Sequence, residues 1–275
     1  MDATCVSVLL VGCVIIFTYV WLTNSVFRYY VKFTYYYSVL FFSGFIVIPF
    51  ALLRPKDIRN IRGVMALWST FFSALRFQVE VRSRENMPDK PCVLVCNHQS
   101  SLDVISMMDI LPDRCSVLAK RELLYFGPFG FAAWLSGLVF VDRLNREKAR
   151  NTMDMIAKLM HDNQLKIWVF PEGTRSHRDD GMLPFKKGAF NLAVSAQVPI
   201  VPVVFSSYRN FFSQSRKIFN RGKVIVECLP PVSTEGLTAE DVTELTEKVR
   251  NSMLDAFKRI SQEFEPLRSN EKKED

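Results

Sequence analysis

Residues 93–103 read VLVCNHQSSLD, and this stretch decides how the rest of the chain is interpreted. Its first four residues are uncharged and hydrophobic, which is typical of a buried strand. His98 follows directly after that strand and Asn97, and Asp103 comes five residues later. We interpret the stretch as a strand that ends in a polar turn and leads into a helix.

The spacing of His98 and Asp103 leaves two interpretations open. Ser100 and Asp103 fit a capping box, in which the carboxylate serves only the start of the helix. Alternatively, the turn brings His98 and Asp103 together, so that the carboxylate orients the imidazole as a general base. Because the sequence contains no Gly-x-Ser-x-Gly elbow, the expected nucleophile is a hydroxyl of the substrate rather than a serine.

After residue 62, strand and helix patterns alternate along the chain. Strands are predicted at 77–82, 91–97, 115–120, 138–143, 166–170, 199–205 and 223–229, and helices at 101–110, 145–163, 185–197 and 238–260. This alternation predicts a layered α/β domain, and the continuous apolar strands favour parallel pairing. The apolar segment 121–137 is interrupted by glycine and proline, so we expect a buried or membrane-surface segment rather than a span.

Three of the predicted strands end in polar residues. They contribute His98, Asp103, Asp142, Arg143, Glu172 and Arg175. In open α/β sheets ligands bind outside the carboxyl ends of the strands. The sequence therefore predicts that these side chains surround one ligand-binding crevice at the carboxyl edge of the sheet.

Two uncharged runs, 6–22 and 33–53, lie at the front of the chain. Each is about as long as a bilayer span requires. Alternative interpretations are a signal peptide for the first run, a buried hairpin for both runs, or a hairpin that enters only one leaflet. Basic residues follow the second run at Arg54, Lys56, Arg59 and Arg62, which favours a cytosolic side for the remainder. We expect a two-helix membrane anchor over 1–60 and a catalytic domain over 61–275.

The net charge of +7 suits anionic partners such as nucleic acid, phosphorylated metabolites or an anionic membrane face. The apolar front of the chain favours the membrane, so no nucleic-acid partner is expected. The six cysteines show no metal-ligand spacing and only three histidines are present. We expect no metal site and ordinary thiols of a reducing compartment.

Four motifs occur in order: NHQSSLD (97–103), GLVFVDR (137–143), FPEGTR (170–175) and VPIVPVV (198–204). Together they resemble the motifs of the lysophospholipid acyltransferases, most closely of the 1-acyl-sn-glycerol-3-phosphate acyltransferases, over residues 81–231. Each motif alone is common, and the ordered set is specific. The resemblance implies an α/β domain with a mixed, largely parallel sheet flanked by helices and tied to the bilayer by two amino-terminal helices.

The resemblance also implies roles for individual residues. His98 is similar to the general base of the family and Asp103 to its orienting carboxylate. Arg143, Glu172, Gly173, Thr174 and Arg175 match the motifs that hold glycerol phosphate. Pro199, Ile200 and Pro202 match the motif associated with acyl-group accommodation and sheet integrity.

The implied reaction moves an acyl group from acyl-CoA, a co-substrate, to the sn-2 hydroxyl of lysophosphatidic acid. No cofactor is implied. Acylation of another lysophospholipid or of glycerol 3-phosphate, ester hydrolysis, and non-catalytic membrane lipid binding remain alternatives. The final residues KKED (272–275) resemble an endoplasmic reticulum retrieval signal or form an ordinary charged tail. We expect an endoplasmic reticulum membrane location with a cytosolic catalytic domain.

Overall fold

Two consecutive helices, α1 (Ala3–Thr23) and α2 (Ser25–Ala51), open the computed structural model, which describes residues 3–142, 146–176 and 181–264. Asn24 separates them, and its side-chain oxygen accepts a hydrogen bond from the Phe27 N–H at 2.9 Å. This is the usual way in which an N-cap residue satisfies a free amide at a helix start. Both helices are long and apolar enough to cross a membrane.

The two helices differ in how they contact the rest of the protein. None of the apolar window of α1 is buried, whereas 22% of that of α2 is. The buried residues of α2 form one stripe, Tyr29, Tyr36, Leu40, Ser43, Gly44 and Ala51. Such spacing places side chains on one face of a helix. Thus α2 packs along the α/β layers, whereas α1 is largely exposed.

The central sheet has seven strands in the order β1–β9–β6–β2–β5–β3–β4. Their bounds are β1 (Phe77–Arg82), β2 (Val93–Cys96), β3 (Cys115–Lys120), β4 (Val139–Val141), β5 (Lys166–Val169), β6 (Ile200–Phe205) and β9 (Gly222–Cys228). Neighbouring strands are parallel except for the β6–β9 pair, which is antiparallel. The prediction of a mixed, largely parallel sheet is confirmed.

Helices cover both faces of the sheet. They are α3 (Asn60–Phe72), α4 (Asp103–Met108), α5 (Gly127–Leu135), α6 (Arg146–Asp162), α7 (Gly188–Ser195) and α8 (Val242–Gln262). Side chains of a strand alternate between faces. Val93 and Val95 accordingly pack with α6, α7 and α8, while Leu94 and Cys96 pack with α2, α3 and α4. Because β2 is buried on both faces, its sequence is continuously apolar, and this pattern is the one that predicted the strand.

The sequence did not predict α3 or a small hairpin formed by β7 (Phe212–Ser213) and β8 (Ile218–Phe219). The hairpin packs against α2, with the ring centroids of Phe212 and Phe219 each 5.7 Å from that of Phe33. Because α2 shares a hydrophobic core with the sheet, this helix and the α/β layers are in contact across the predicted domain boundary. The division into 1–60 and 61–275 stays a prediction.

Segment 121–137 forms a 3-10 turn (Arg121–Tyr125) and the nine-residue helix α5, which is too short to span a bilayer. It packs tightly on α2. A Cβ at Gly44 would lie 2.5 Å from the carbonyl carbon of Pro128. Only glycine therefore allows the two backbones to approach this closely.

The four cysteines of the sheet region, Cys92, Cys96, Cys115 and Cys228, are buried, and Cys5 and Cys13 on α1 are exposed. Burial raises the pKa of the Cys92 and Cys228 thiols to about 12. Thiols held protonated in this way are poor nucleophiles and poor metal ligands.

Candidate active site

The turn between β2 and α4 places His98 against Asp103. His98 Nδ1 lies 2.7 Å from Asp103 Oδ2. The Asp103 side chain is 1% exposed and that of His98 is 21% exposed. A carboxylate accepts hydrogen bonds, so Nδ1 carries the proton and Nε2 is the basic nitrogen. The pair therefore has the arrangement of a general base and its orienting carboxylate.

Asp103 also satisfies the backbone of the turn. Its Oδ2 accepts from the Gln99 N–H at 2.8 Å, and both carboxylate oxygens lie 3.2 Å from the Ser100 nitrogen. The bond to Ser100 is half of a capping box; the Ser100 hydroxyl accepts instead from the Leu102 N–H at 3.2 Å. Capping and orientation of the imidazole are thus not alternatives, since one buried carboxylate performs both.

The aromatic ring of Phe170 covers one face of His98. The two ring centroids are 4.3 Å apart with an interplanar angle of 26°. Phe170 directly follows β5, the parallel neighbour of β2. The adjacent strand ends therefore meet, as the carboxyl-edge rule predicts.

Glu172 fixes the backbone of His98. Its Oε1 accepts from the His98 N–H at 2.7 Å, and its Oε2 accepts from the Leu183 N–H at 2.8 Å. The side chain is buried. Burial raises the pKa of the Glu172 carboxyl, and the two backbone N–H groups partly oppose this shift. The expectation was a residue that holds glycerol phosphate, whereas both oxygens are engaged by the protein.

The turn after Glu172 is open to solvent. Gly173 has φ +70°, a conformation that favours glycine. Thr174 and Arg175 are exposed. Within the described part of the chain, Arg175 forms no ion pair or hydrogen bond. The Ser176 N–H donates to the His98 carbonyl oxygen at 2.7 Å, which holds this turn beside the histidine.

Comparison with known proteins identifies the family of the chain. The family described as "Acyltransferase" matches residues 78–206. The chain is 44% identical to 1-acyl-sn-glycerol-3-phosphate acyltransferase alpha of Mus musculus over 245 residues, which are 88% of this chain and 85% of the relative. The chain belongs to the 1-acyl-sn-glycerol-3-phosphate acyltransferase family.

A second relative in this acyltransferase family is 1-acyl-sn-glycerol-3-phosphate acyltransferase beta of Homo sapiens. It is 44% identical over 209 residues, covering 76% of this chain and 74% of the relative. The crystal structure of the 1-acyl-sn-glycerophosphate (LPA) acyltransferase PlsC from Thermotoga maritima superposes with a TM-score of 0.65. At 24% identity, covering 86% of this chain and 95% of PlsC, it shows the same fold.

The other predicted residues of the acyltransferase motifs have different surroundings. Asp142 pairs with Arg121, whose Nη1 lies 2.9 Å from Oδ2. Arg143 lies outside the described residues, so its predicted role stays a prediction. Ile200 and Pro202 are buried in β6, paired with Val93 and Val95 of β2.

Pro199 precedes β6 and is half-buried; its carbonyl oxygen accepts from the Val93 N–H at 3.0 Å. With Ile200 and Pro202 it lies beside the body of β2, away from the polar strand ends. The predicted roles of these three residues in sheet integrity and in acyl-group accommodation stay predictions.

Several residues that support the acyltransferase motif were not predicted. Asn97 exchanges two hydrogen bonds with the backbone of Phe205, at 3.0 and 2.8 Å. The hydroxyl of Tyr36 on α2 donates to the Ser101 carbonyl oxygen at 2.5 Å, and that of Tyr37 donates to the Ser101 hydroxyl at 3.0 Å. Asn97 belongs to the motif itself and could have been found there. The two tyrosines lie in an apolar run, where no local pattern marks a polar contact.

Proposed function

We propose that the protein transfers an acyl group from acyl-CoA to the sn-2 hydroxyl of 1-acyl-glycerol 3-phosphate, forming phosphatidic acid. The observation that carries this proposal is the 2.7 Å contact between His98 Nδ1 and Asp103 Oδ2, which leaves Nε2 as the basic nitrogen. The names of the mouse and human relatives supply the acceptor.

In the proposed reaction, His98 Nε2 removes the proton of the sn-2 hydroxyl as the oxygen attacks the thioester carbonyl carbon. Asp103 stabilises the imidazolium that forms. When the tetrahedral intermediate collapses, the C–S bond breaks and the imidazolium returns the proton to the CoA sulfur. The products are the new ester and free CoA, and His98 is neutral again. No group beyond the two substrates is consumed.

The residues around the pair have separate roles in this proposal. Glu172 positions His98 through its backbone, as their 2.7 Å contact supports. Arg175 is exposed and suited to bind phosphate oxygens through its planar guanidinium. Arg143 and Thr174 complete the glycerol phosphate site.

We further propose that α1 and α2 hold the protein to the endoplasmic reticulum membrane, with the α/β layers in the cytosol. The length and apolar composition of both helices support membrane attachment. Exposed aromatic side chains at Tyr125, Phe126 and Phe131 continue the apolar surface beside α2. An acceptor dissolved in the bilayer would then reach the site from this side.

The full chain in liposomes tests the proposal. Labelled oleoyl-CoA is supplied with lysophosphatidic acid, lysophosphatidylcholine, lysophosphatidylethanolamine or glycerol 3-phosphate, and the products are separated. We expect phosphatidic acid as the main product. Acylation of another acceptor in preference would reassign the substrate, and release of fatty acid without acceptor would indicate a hydrolase.

His98→Ala is expected to lower kcat by about 10³-fold or more, because the general base is lost. Its thermal unfolding midpoint should stay close to that of the parent, because Asp103 keeps its hydrogen bonds to the Gln99 and Ser100 N–H groups. Substantial turnover by the variant would refute the assignment of His98.

A further inference from the structure

Two adjacent lysines, Lys186 and Lys187, direct their side chains to different places. The Lys187 ammonium donates to the hydroxyl of Thr243 on α8 at 2.8 Å. The Lys186 N–H donates to the carbonyl oxygen of Pro171 at 2.8 Å, which fixes its backbone against the turn that follows β5.

The side chain of Lys186 lies across Gly173. A Cβ at Gly173 would be 2.8 Å from Lys186 Cε and 2.9 Å from Nζ. Any other residue at 173 would therefore displace the ammonium. Gly173 serves two purposes: it adopts φ +70° and it leaves room for a cation.

The turn at 171–176 thus has two cations and no available carboxylate. Its acidic residue, Glu172, has both oxygens bonded to backbone N–H groups. Lys186 and Arg175 are exposed, and neither forms an ion pair with a residue in the described ranges. Two such charges beside one turn repel each other, and a bound anion relieves that repulsion.

We propose that Lys186, together with Arg175, binds the phosphate group of the acceptor. The inference rests on the proposed function and adds a phosphate ligand outside the four sequence motifs. Phosphate could also come from CoA, whose phosphates lie at the far end of the pantetheine arm from the thioester. The 171–176 turn bonds directly to the backbone of His98, so its cations suit the phosphate next to the reacting hydroxyl, which is that of the acceptor.

The test compares Lys186→Met with Lys187→Met in the full-length protein in liposomes. We expect Lys186→Met to raise KM for lysophosphatidic acid about 10- to 100-fold, the effect of one lost charge-assisted hydrogen bond. Its KM for acyl-CoA should stay within about twofold, since the lost contact is with the acceptor. Lys187→Met should behave as the parent. Thermal unfolding of both variants checks that the fold is intact.

Two results would overturn the inference. A rise in KM for acyl-CoA alone would assign the phosphate to CoA, and an unchanged KM for both substrates would leave Lys186 without a ligand. Binding of labelled lysophosphatidic acid to His98→Ala, with and without Lys186→Met, separates this inference from the proposed function. If the parent does not acylate lysophosphatidic acid but its binding depends on Lys186, the proposed function fails and the phosphate site stands.

Discussion

The turn at 97–103 and the turn at 171–176 lie side by side, and they use their polar groups differently. In the first, the carboxylate of Asp103 and the amides of Asn97 and Gln99 are bonded within the protein. In the second, Glu172 is bonded internally, and the cations of Arg175 and Lys186 have no partner of opposite charge among the described residues. In our proposal, one turn is therefore organised before substrate arrives, and the phosphate of the substrate completes the other. Groups that are already positioned lower the free energy of the transition state and so raise kcat. Groups that bind the substrate and the transition state equally well change KM instead.

The largest expected effect tests the organised turn. Asp103→Asn should lower kcat by about 10³- to 10⁴-fold with little change in KM. An amide cannot accept from the imidazole and from both backbone N–H groups, so the tautomer and the turn are both disturbed. Steady-state kinetics checks this, with the thermal unfolding midpoint as control. A loss below tenfold would mean that the carboxylate mainly caps α4.

The second prediction concerns Glu172, which lies in the turn at 171–176 but bonds to the backbone of His98 in the turn at 97–103. Glu172→Gln leaves one backbone N–H facing an NH₂ group, at a cost equivalent to about 10- to 100-fold in kcat. KM for lysophosphatidic acid should change little, because the carboxylate contacts no substrate in our proposal. The opposite pattern, a raised KM with unchanged kcat, would show that Glu172 binds substrate. The two turns would then not differ in the way described above.

A third prediction concerns the contact between α2 and the organised turn. Tyr36→Phe removes the hydrogen bond to the Ser101 carbonyl oxygen and should lower kcat about 3- to 10-fold, since one hydrogen bond contributes roughly 1 kcal/mol. Tyr37→Phe is the matched control. Its bond goes to the Ser101 hydroxyl, outside the backbone of the turn, so we expect a change within about twofold. Equal effects of both variants would indicate general loosening of α2.

The smallest effect is on stability. Burial raises the pKa of Glu172 above its ordinary value of 4.5. Its contribution to the free energy of unfolding is therefore complete below the ordinary value and is lost as pH rises through the raised value. As pH rises above about 4.5, the unfolding midpoint of the parent should decrease relative to that of Glu172→Gln. A parent midpoint that instead increases relative to that of the variant would contradict the raised pKa.

Much of the fold could be predicted because its signals are local. The strand β2 is apolar on both faces, and the polar residues that follow it and β5 mark the edge where ligands bind. This places His98, Asp103 and Glu172 in one region without knowledge of their contacts.

The contacts themselves depend on residues distant in sequence. Glu172 bonds to the N–H of His98, 74 positions away, and a Pro-Glu-Gly sequence carries no sign of that partner. Lys186 and Lys187 are adjacent and chemically identical, and only their contacts with Gly173 and Thr243 distinguish them. The helix α3 was not predicted because the basic residues before and within it were used only to orient the membrane run.

The packing of α2 also has a consequence for the order of assembly. Tyr29, Tyr36 and Leu40 belong to the same core as Leu94, Trp168 and Phe205 of the sheet. The sheet cannot bury all of this face unless α2 lies against it. Because α2 precedes the strands in the chain, it leaves the ribosome before they do. Residues 61–275 made alone would leave uncovered the part of this apolar face that α2 covers.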